Sequence, residues 1–334
     1  MNVLVVGGNR FVGYGLAGRL LAGGHQVTLF NRGRLADPFG ARVERLRGDR
    51  TTGDFPRLLA GRSFDAAVDF AAFHEPDARA AADVLGGRVG HYVFISTGQV
   101  YLVRDDCPRP SRESDYDGPV MPAPPEGDPD RADWEYGVGK RACEDALAEA
   151  WVGRRFPSTR LRLPIVYGER DHSRRLEGYL WRLVDGGPLL VPEGGTNPIR
   201  HVYAGEVVRL VLALLGRPDT FGQAYNVCQQ EAPSLFAYLR LLAGAMGSVA
   251  PILSVSRDAL QDAGLQPTAV SPFSGRWVSL LDPARARADL GFAHRPMEEC
   301  LRSVVASFFA HPPADRPPTY AGRPREIELA RRLA

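Results

Sequence analysis

Lysine is almost missing from this chain of 334 residues: of its 41 basic residues, all but Lys140 are arginine. A guanidinium is a rigid planar fork, whereas an ammonium is a compact charge with rotatable donors, so a lone lysine marks a place where arginine will not serve. Other absences narrow the class of protein. The four cysteines, Cys107, Cys143, Cys228 and Cys300, lie far apart and show no spacing for a disulfide framework or a metal; they read as free thiols, and no metal site is expected. No apolar run approaches the ~18 residues of a membrane-spanning helix, and the apolar start Val3-Leu4-Val5-Val6 is too short for the core of a secretion signal. A soluble, cytoplasmic protein with no membrane partner is expected. Net charge is only +2, with both signs interspersed and no basic tract, which speaks against a nucleic-acid partner.

Much of what is present alternates between strand-like and helix-like segments. Residues 1–6 form a buried apolar run, residues 12–21 a helical stretch closed by Gly23-Gly24, and residues 26–31 a second strand, which together make one βαβ unit. Further runs at 43–46, 66–70, 91–95 and 160–166, with helices over 76–85 and 133–150 between them, predict an α/β fold: a Rossmann-type doubly wound parallel sheet covered on both faces. Its domain spans 1–168, with part of 199–228 returning to it. A smaller C-terminal α/β substrate region follows over 169–313, and residues 314–334 form an extended tail ahead of a short terminal helix. The segment 103–131, rich in Pro, Asp and Gly, is a long loop of the kind that often closes a site.

Two local patterns carry chemistry. Gly7-Gly8-Asn9-Arg10-Phe11-Val12-Gly13 follows the first strand and opens the first helix, where free backbone N–H groups favour a pyrophosphate. Arg10 replaces the usual middle glycine. At the end of the second strand, where a carboxylate commonly takes the ribose hydroxyls, the chain has Asn31-Arg32, so Arg10 and Arg32 lean the reading towards NADP over NAD. The second pattern is Tyr136-x-x-x-Lys140. Residues i and i+4 share a helix face, so the ammonium is expected to favour the ionised phenol, which otherwise forms near pH ~10. A tyrosine so placed serves as general acid or base.

With these residues in view, the chain over 1 to about 310 resembles an extended short-chain dehydrogenase/reductase of the NAD-dependent epimerase/dehydratase family. Gly48-Asp49-Arg50, Asp69-Phe70-Ala71-Ala72, Ser96-Thr97-Gly98-Gln99-Val100-Tyr101, Leu163-Pro164-Ile165-Val166-Tyr167-Gly168, His201-Val202, Tyr225-Asn226-Val227 and Asp289-Leu290-Gly291-Phe292 follow in the order of that family. The resemblance implies a catalytic set of Thr97, Tyr136 and Lys140. It further implies that Asp49 holds the adenine, that Phe70, Ala71 and Ala72 line the cofactor, and that Pro164 to Val166 pass near the nicotinamide. By the same resemblance Lys140 also holds the nicotinamide ribose, and a homodimer pairs the helices around 76–88 and 134–150.

The departures concern substrate. Dehydratases that the chain resembles carry Asp-Glu where Gly98-Gln99 stands, which argues against dehydration. Ile165 and Asn197 replace an Asn and an Arg that contact the diphosphate in sugar-nucleotide epimerases; Arg174, Arg175, Arg200 and Arg276 are candidate substitutes. The expectation is an NAD(P)-dependent epimerase-type oxidoreductase acting on a sugar-like substrate. A carbonyl reductase and a relative of the chloroplast stem-loop RNA-binding branch are the alternatives.

Overall fold

The computed structural model describes residues 1–333. The chain divides into two compact units: the first comprises Met1–Pro164, Ala204–Cys228 and Leu281–Ala293, the second Ile165–Tyr203, Gln229–Leu280 and His294–Ala334.

The first unit is built on a seven-stranded sheet. In chain order its elements are β1 (Asn2–Val6), α1 (Phe11–Ala22), β2 (Gln26–Asn31), β3 (Val43–Arg47), α2 (Asp54–Leu59), β4 (Ala66–Asp69), α3 (Glu75–Leu85), β5 (Tyr92–Thr97), α4 (Gln99–Leu102), α5 (Arg131–Arg154) and β6 (Ser158–Leu163). The second unit opens with β7 (Val166–Tyr167), α6 (Arg175–Val184), β8 (Leu189–Pro192) and β9 (Val202–Tyr203). Then α7 (Ala204–Leu214) and β10 (Ala224–Asn226) return to the first. The large sheet runs β10-β6-β5-β4-β1-β2-β3, parallel throughout, as the sequence predicts. Parallel strands must be buried on both faces, which is why β1 reads as an unbroken apolar run. Leu4 and Val6 join Ala78, Ala81, Leu85, Cys143 and Leu147 of α3 and α5 in one core layer. The intervening Val3 and Val5 point to the other face, as a period of two requires.

The second unit is more fragmentary. It holds two small parallel pairs, β7 with β9 and β8 with β11 (Ile252–Val255), together with α8 (Leu235–Met246), α9 (Arg257–Asp262) and α10 (Pro267–Val270). After α11 (Ala284–Leu290) of the first unit come α12 (Met297–Ala310) and α13 (Arg323–Leu333).

Two boundaries read from the sequence need correction. Residues 281–293 belong to the first unit, because Leu281 packs with Val100, Tyr101 and Cys228. Nor is 314–334 an extended tail. Leu329 and Ala330 of α13 enter a core with Leu190, Val255 and Leu260, while Arg182 and Glu326, both buried, pair at the same helix.

Candidate active site

The glycine turn after β1 has the geometry of an anion cradle. Gly7 has φ +91°, a left-handed conformation that a side chain would strain. A Cβ at Gly13 would lie 3.0 Å from Gly8 Cα and 3.4 Å from Phe70 Cδ2, so α1 docks on the turn only with glycine there. The first turn of α1 contains no acid, and its N-cap Arg10 makes no side-chain cap. The amide ends of Val12 and Gly13, both buried, thus meet no acidic side chain of that first turn. These residues fit a dinucleotide pyrophosphate.

Asn9 ties this turn to the end of β2: its amide donates to Leu35 O at 2.9 Å and its Oδ1 accepts from Asn31 Nδ2 at 3.1 Å. Asn31 Oδ1 in turn accepts the Gly33 N–H. Arg10 and Arg32 are both exposed. Arg32 Nη1 stands 3.9 Å from Asp49 Oδ2, so a 2′-phosphate on Arg32 would compete with that carboxylate. Asp49 is held below the usual carboxylate range, first by the N–H and then by the hydroxyl of Thr51.

The loop after β4 is organised by a buried ionic cluster that the sequence reading passed over. Asp69 is fully buried, meets Arg50 at 2.9 and 2.7 Å, accepts the Tyr92 hydroxyl at 2.6 Å and takes the N–H groups of Ala71 and Ala72. Burial works to raise its pKa, but the Arg50 charge and the Tyr92 hydroxyl outweigh it and keep Asp69 ionised. Arg50 also reaches Asp77 at 3.2 Å. Phe70, Ala71 and Ala72 are thus presented by a fixed loop. Sequence alone carried no direct signal for this pair, because β3 and β4 are separated in the sheet by β1 and β2, and only the loop after β3 brings Arg50 to Asp69.

Thr97 lies at the end of β5, and Tyr136 and Lys140 lie one turn apart on α5, which packs against that strand through Lys140. Thr97 ends β5 and is 8% exposed; its Oγ1 accepts the Gln99 N–H at 3.3 Å, which leaves its own proton to donate elsewhere. Two glycines let α5 approach. A Cβ at Gly137 would lie 2.5 Å from Val103 Cγ1, and one at Gly139 would lie 2.4 Å from Phe73 O. Lys140 is consequently buried, donating to Ile95 O at 2.7 Å, with Nζ 4.5 Å from the Phe94 ring centre. Burial, above all, brings its pKa down to about 8. Tyr136, one turn earlier, remains 36% exposed with its ring 6.3 Å from that of Phe73. Gln99, which replaces a dehydratase carboxylate in the resemblance, donates to Asp133 Oδ1 at 2.8 Å and so ties α4 to the first turn of α5. Pro164 is buried at the end of β6 in the first unit, whereas Val166 lies in β7 of the second.

Among the arginines offered as diphosphate contacts, Arg174 is committed to Glu177 at 2.6 Å and to Asp315 at 3.2 Å. Asn197 donates to Phe273 O, Arg175 is exposed, and the Arg276 guanidinium lies over the Trp277 ring. Among the described residues no group of three or more His, Cys, Asp or Glu is placed to hold a metal, and no helix is long and apolar enough to cross a membrane.

A parallel sheet with a glycine cradle at β1 and a Tyr-x-x-x-Lys helix against β5 resembles the build of an extended short-chain dehydrogenase/reductase. Residues 81–228 match the NAD dependent epimerase/dehydratase family. UDP-glucose 4-epimerase from Thermotoga maritima superposes with a TM-score of 0.71 at 19% identity, covering 93% of this chain and 99% of its own. A dTDP-glucose 4,6-dehydratase from Streptomyces venezuelae, solved with NAD, gives 0.70 at 19%, covering 93% and 98%. By sequence, the chain is 25% identical over 264 residues to the chloroplast stem-loop binding protein of 41 kDa b of Arabidopsis thaliana, covering 75% of this chain. It is 29% identical over 236 residues to the 2'-dehydrokanamycin reductase of Streptomyces kanamyceticus, covering 69%. The alignments span 64% and 62% of the lengths of those two relatives.

Proposed function

We propose that the protein is an epimerase-type oxidoreductase acting on a hydroxyl-bearing carbon of a sugar or sugar nucleotide. The observation that supports this most is the only lysine of the chain, buried against Ile95 O one helical turn from the exposed Tyr136. Gly7 to Gly13, Asn31 and Arg32, Asp49, Phe70 to Ala72, Pro164 and Val166 would hold the dinucleotide, which supplies a hydride acceptor and donor when bound. The chain supplies the proton path. Tyr136 Oη takes the proton of the substrate hydroxyl and returns it, Lys140 lowers the cost of the phenolate, and Thr97 donates to the oxygen that becomes a carbonyl. Gln99, an amide, cannot act as the second acid that a dehydration needs.

The test uses UDP- and dTDP-hexoses, the substrates named for the structural neighbours, with catalytic NAD or NADP. The expected outcome is epimer formation with no net reduced cofactor, since the hydride taken is returned. A carbonyl reductase is the second reading, favoured by the likeness to 2'-dehydrokanamycin reductase. It predicts one NAD(P)H consumed per product and no isomer. In either case Tyr136→Phe should lower turnover by ~10²-fold or more with cofactor affinity retained. A Phe variant keeping a tenth of the rate would exclude Tyr136 as the proton carrier.

Arg10 and Arg32 are proposed to favour NADP. Changing both to Ala should weaken NADP binding at least ~10-fold, by loss of charge-assisted contacts, and leave NAD nearly unaffected. Equal losses for the two nucleotides in a fluorescence titration would refute that preference.

A further inference from the structure

Away from the catalytic helix end, the first unit contains an open cleft of about 660 Å³ at the sheet edge formed by β6 and β10. Its walls include Arg112, Arg160, Arg162 and Arg285, with Glu113 and Asp117 beside them. Most of these charges are accounted for. Arg162 grips the buried Glu144 through three contacts of 2.6–3.0 Å and donates to the Tyr101 hydroxyl. Arg112 meets Asp282 at 3.3 Å, and a Glu113 oxygen accepts the Asn226 N–H at 2.7 Å.

Arg160 is different. It donates only to two main-chain oxygens, Glu144 O at 3.2 Å and Gly222 O at 2.8 Å, and its buried Nε has no acceptor. Glu144 is the carboxylate nearest to hand, yet Arg162 and Ser96 already occupy it. Both guanidiniums face Glu144, but only Arg162 hydrogen-bonds its carboxylate, so Arg160 has no hydrogen-bonded carboxylate of its own. Burial lowers the Arg160 pKa, and the nearby Glu144 charge offsets this only in part. Arg285 holds Gln223 Oε1 at 2.6 Å and Ala224 O at 3.3 Å, lies over the Tyr225 ring, and meets the carboxylate of Asp289 at 3.3 Å on the surface.

We propose that this cleft binds a small oxyanion of the phosphate-monoester class on Arg160 and Arg285, as a site separate from the dinucleotide cradle. A planar guanidinium presents paired N–H donors that match phosphate oxygens, and a partly desolvated one with no hydrogen-bonded carboxylate gains most from an added anion. The cleft lies in the size range of small-molecule pockets. Glu113 and Asp117 set the upper limit of charge: they oppose a polyanion such as nucleic acid and offer acceptors to the hydroxyls of a small phosphorylated polyol. Occupancy would reach the catalytic strand through one residue, because Glu144 lies one turn beyond Lys140 on α5 and accepts from Ser96, the neighbour of Thr97, at 2.5 Å.

Calorimetric titration of the whole chain with inorganic phosphate and with glucose 1-phosphate, against chloride at equal ionic strength, tests the site. Arg160→Gln and Arg285→Gln are compared with Arg10→Ala, which reports the dinucleotide cradle. The expected result is a binding component weakened about tenfold or more by Arg160→Gln, as for loss of a charge-assisted contact, and also weakened by Arg285→Gln, but unchanged by Arg10→Ala. If Arg160→Gln fails to fold by circular dichroism, the half-buried Arg285→Gln decides alone. Phosphate binding that is absent in wild type, or equal in wild type and the folded Gln variants, overturns the proposal.

Discussion

An ammonium enclosed by Ile95 O, Phe94 and Phe73 is a costly group to bury, and Lys140 shows the cost as a pKa near 8 against 10.5 for a free side chain. Because the folded value lies below the unfolded one, the unfolded chain binds more protons between pH 8 and 10.5, so this group's contribution to stability rises with pH across that window. The penalty is fully present below pH 8 and amounts to about 3 kcal/mol at roughly 1.4 kcal/mol per unit. Lys140→Met should therefore show a flatter stability profile than wild type from pH 8 to 10.5 in urea titrations. Equal slopes would mean that the ammonium is not desolvated. The pairing of Tyr136 with Lys140 was legible because it is a spacing on one helix. What encloses Lys140 was not: Gly137 and Gly139 matter through contacts with Val103 and Phe73, which only the fold brings close.

The elements follow the same division. The glycine turn, the strand run to β6 and the helices α1, α3 and α5 could be read directly, since each is a local periodicity bounded by glycine or a loop. The two-residue strands β7 and β9 carry no periodicity, and the docking of α13 depends on partners such as Val255, Leu190 and Arg182 that are distant in sequence. There Glu326 receives Arg182 at 2.5 and 2.8 Å and Arg323 at 3.0 Å, all three side chains being nearly inaccessible. Removing one partner of such a cluster leaves the others charged in a dry site, which typically costs 3–5 kcal/mol. Glu326→Gln should lose about that much in urea denaturation. A loss below about 1 kcal/mol would mean that solvent reaches the cluster.

For the molecule as a whole, acid is the expected weakness, and each unit has its own reason. In the first, His91 Nδ1 accepts the Gly216 N–H while Nε2 lies 2.8 Å from Thr159 Oγ1, an arrangement of the neutral ring; burial brings its pKa down to about 4. In the second, His201 is buried among Tyr167, Tyr238 and Phe273 with both ring nitrogens unpartnered, and burial brings it to about 3. Both folded values lie below the unfolded 6.5, so the stability these rings contribute is intact above pH 6.5 and is lost as the pH falls. By pH 5 the loss is about 2 kcal/mol for each. His201→Phe should remove one of these two increments between pH 7 and 5, and an unchanged acid slope would refute the assignment. The scarcity of lysine has a practical corollary. With a single ε-amine, enclosed in the folded chain, an acylating reagent such as an N-hydroxysuccinimide ester can modify that amine only in molecules whose α5 has lifted from β5. Its labelling rate, separated from that of the terminal α-amine by peptide mass mapping, then works as a clock for the opening of the contact between α5 and β5 without any engineered probe.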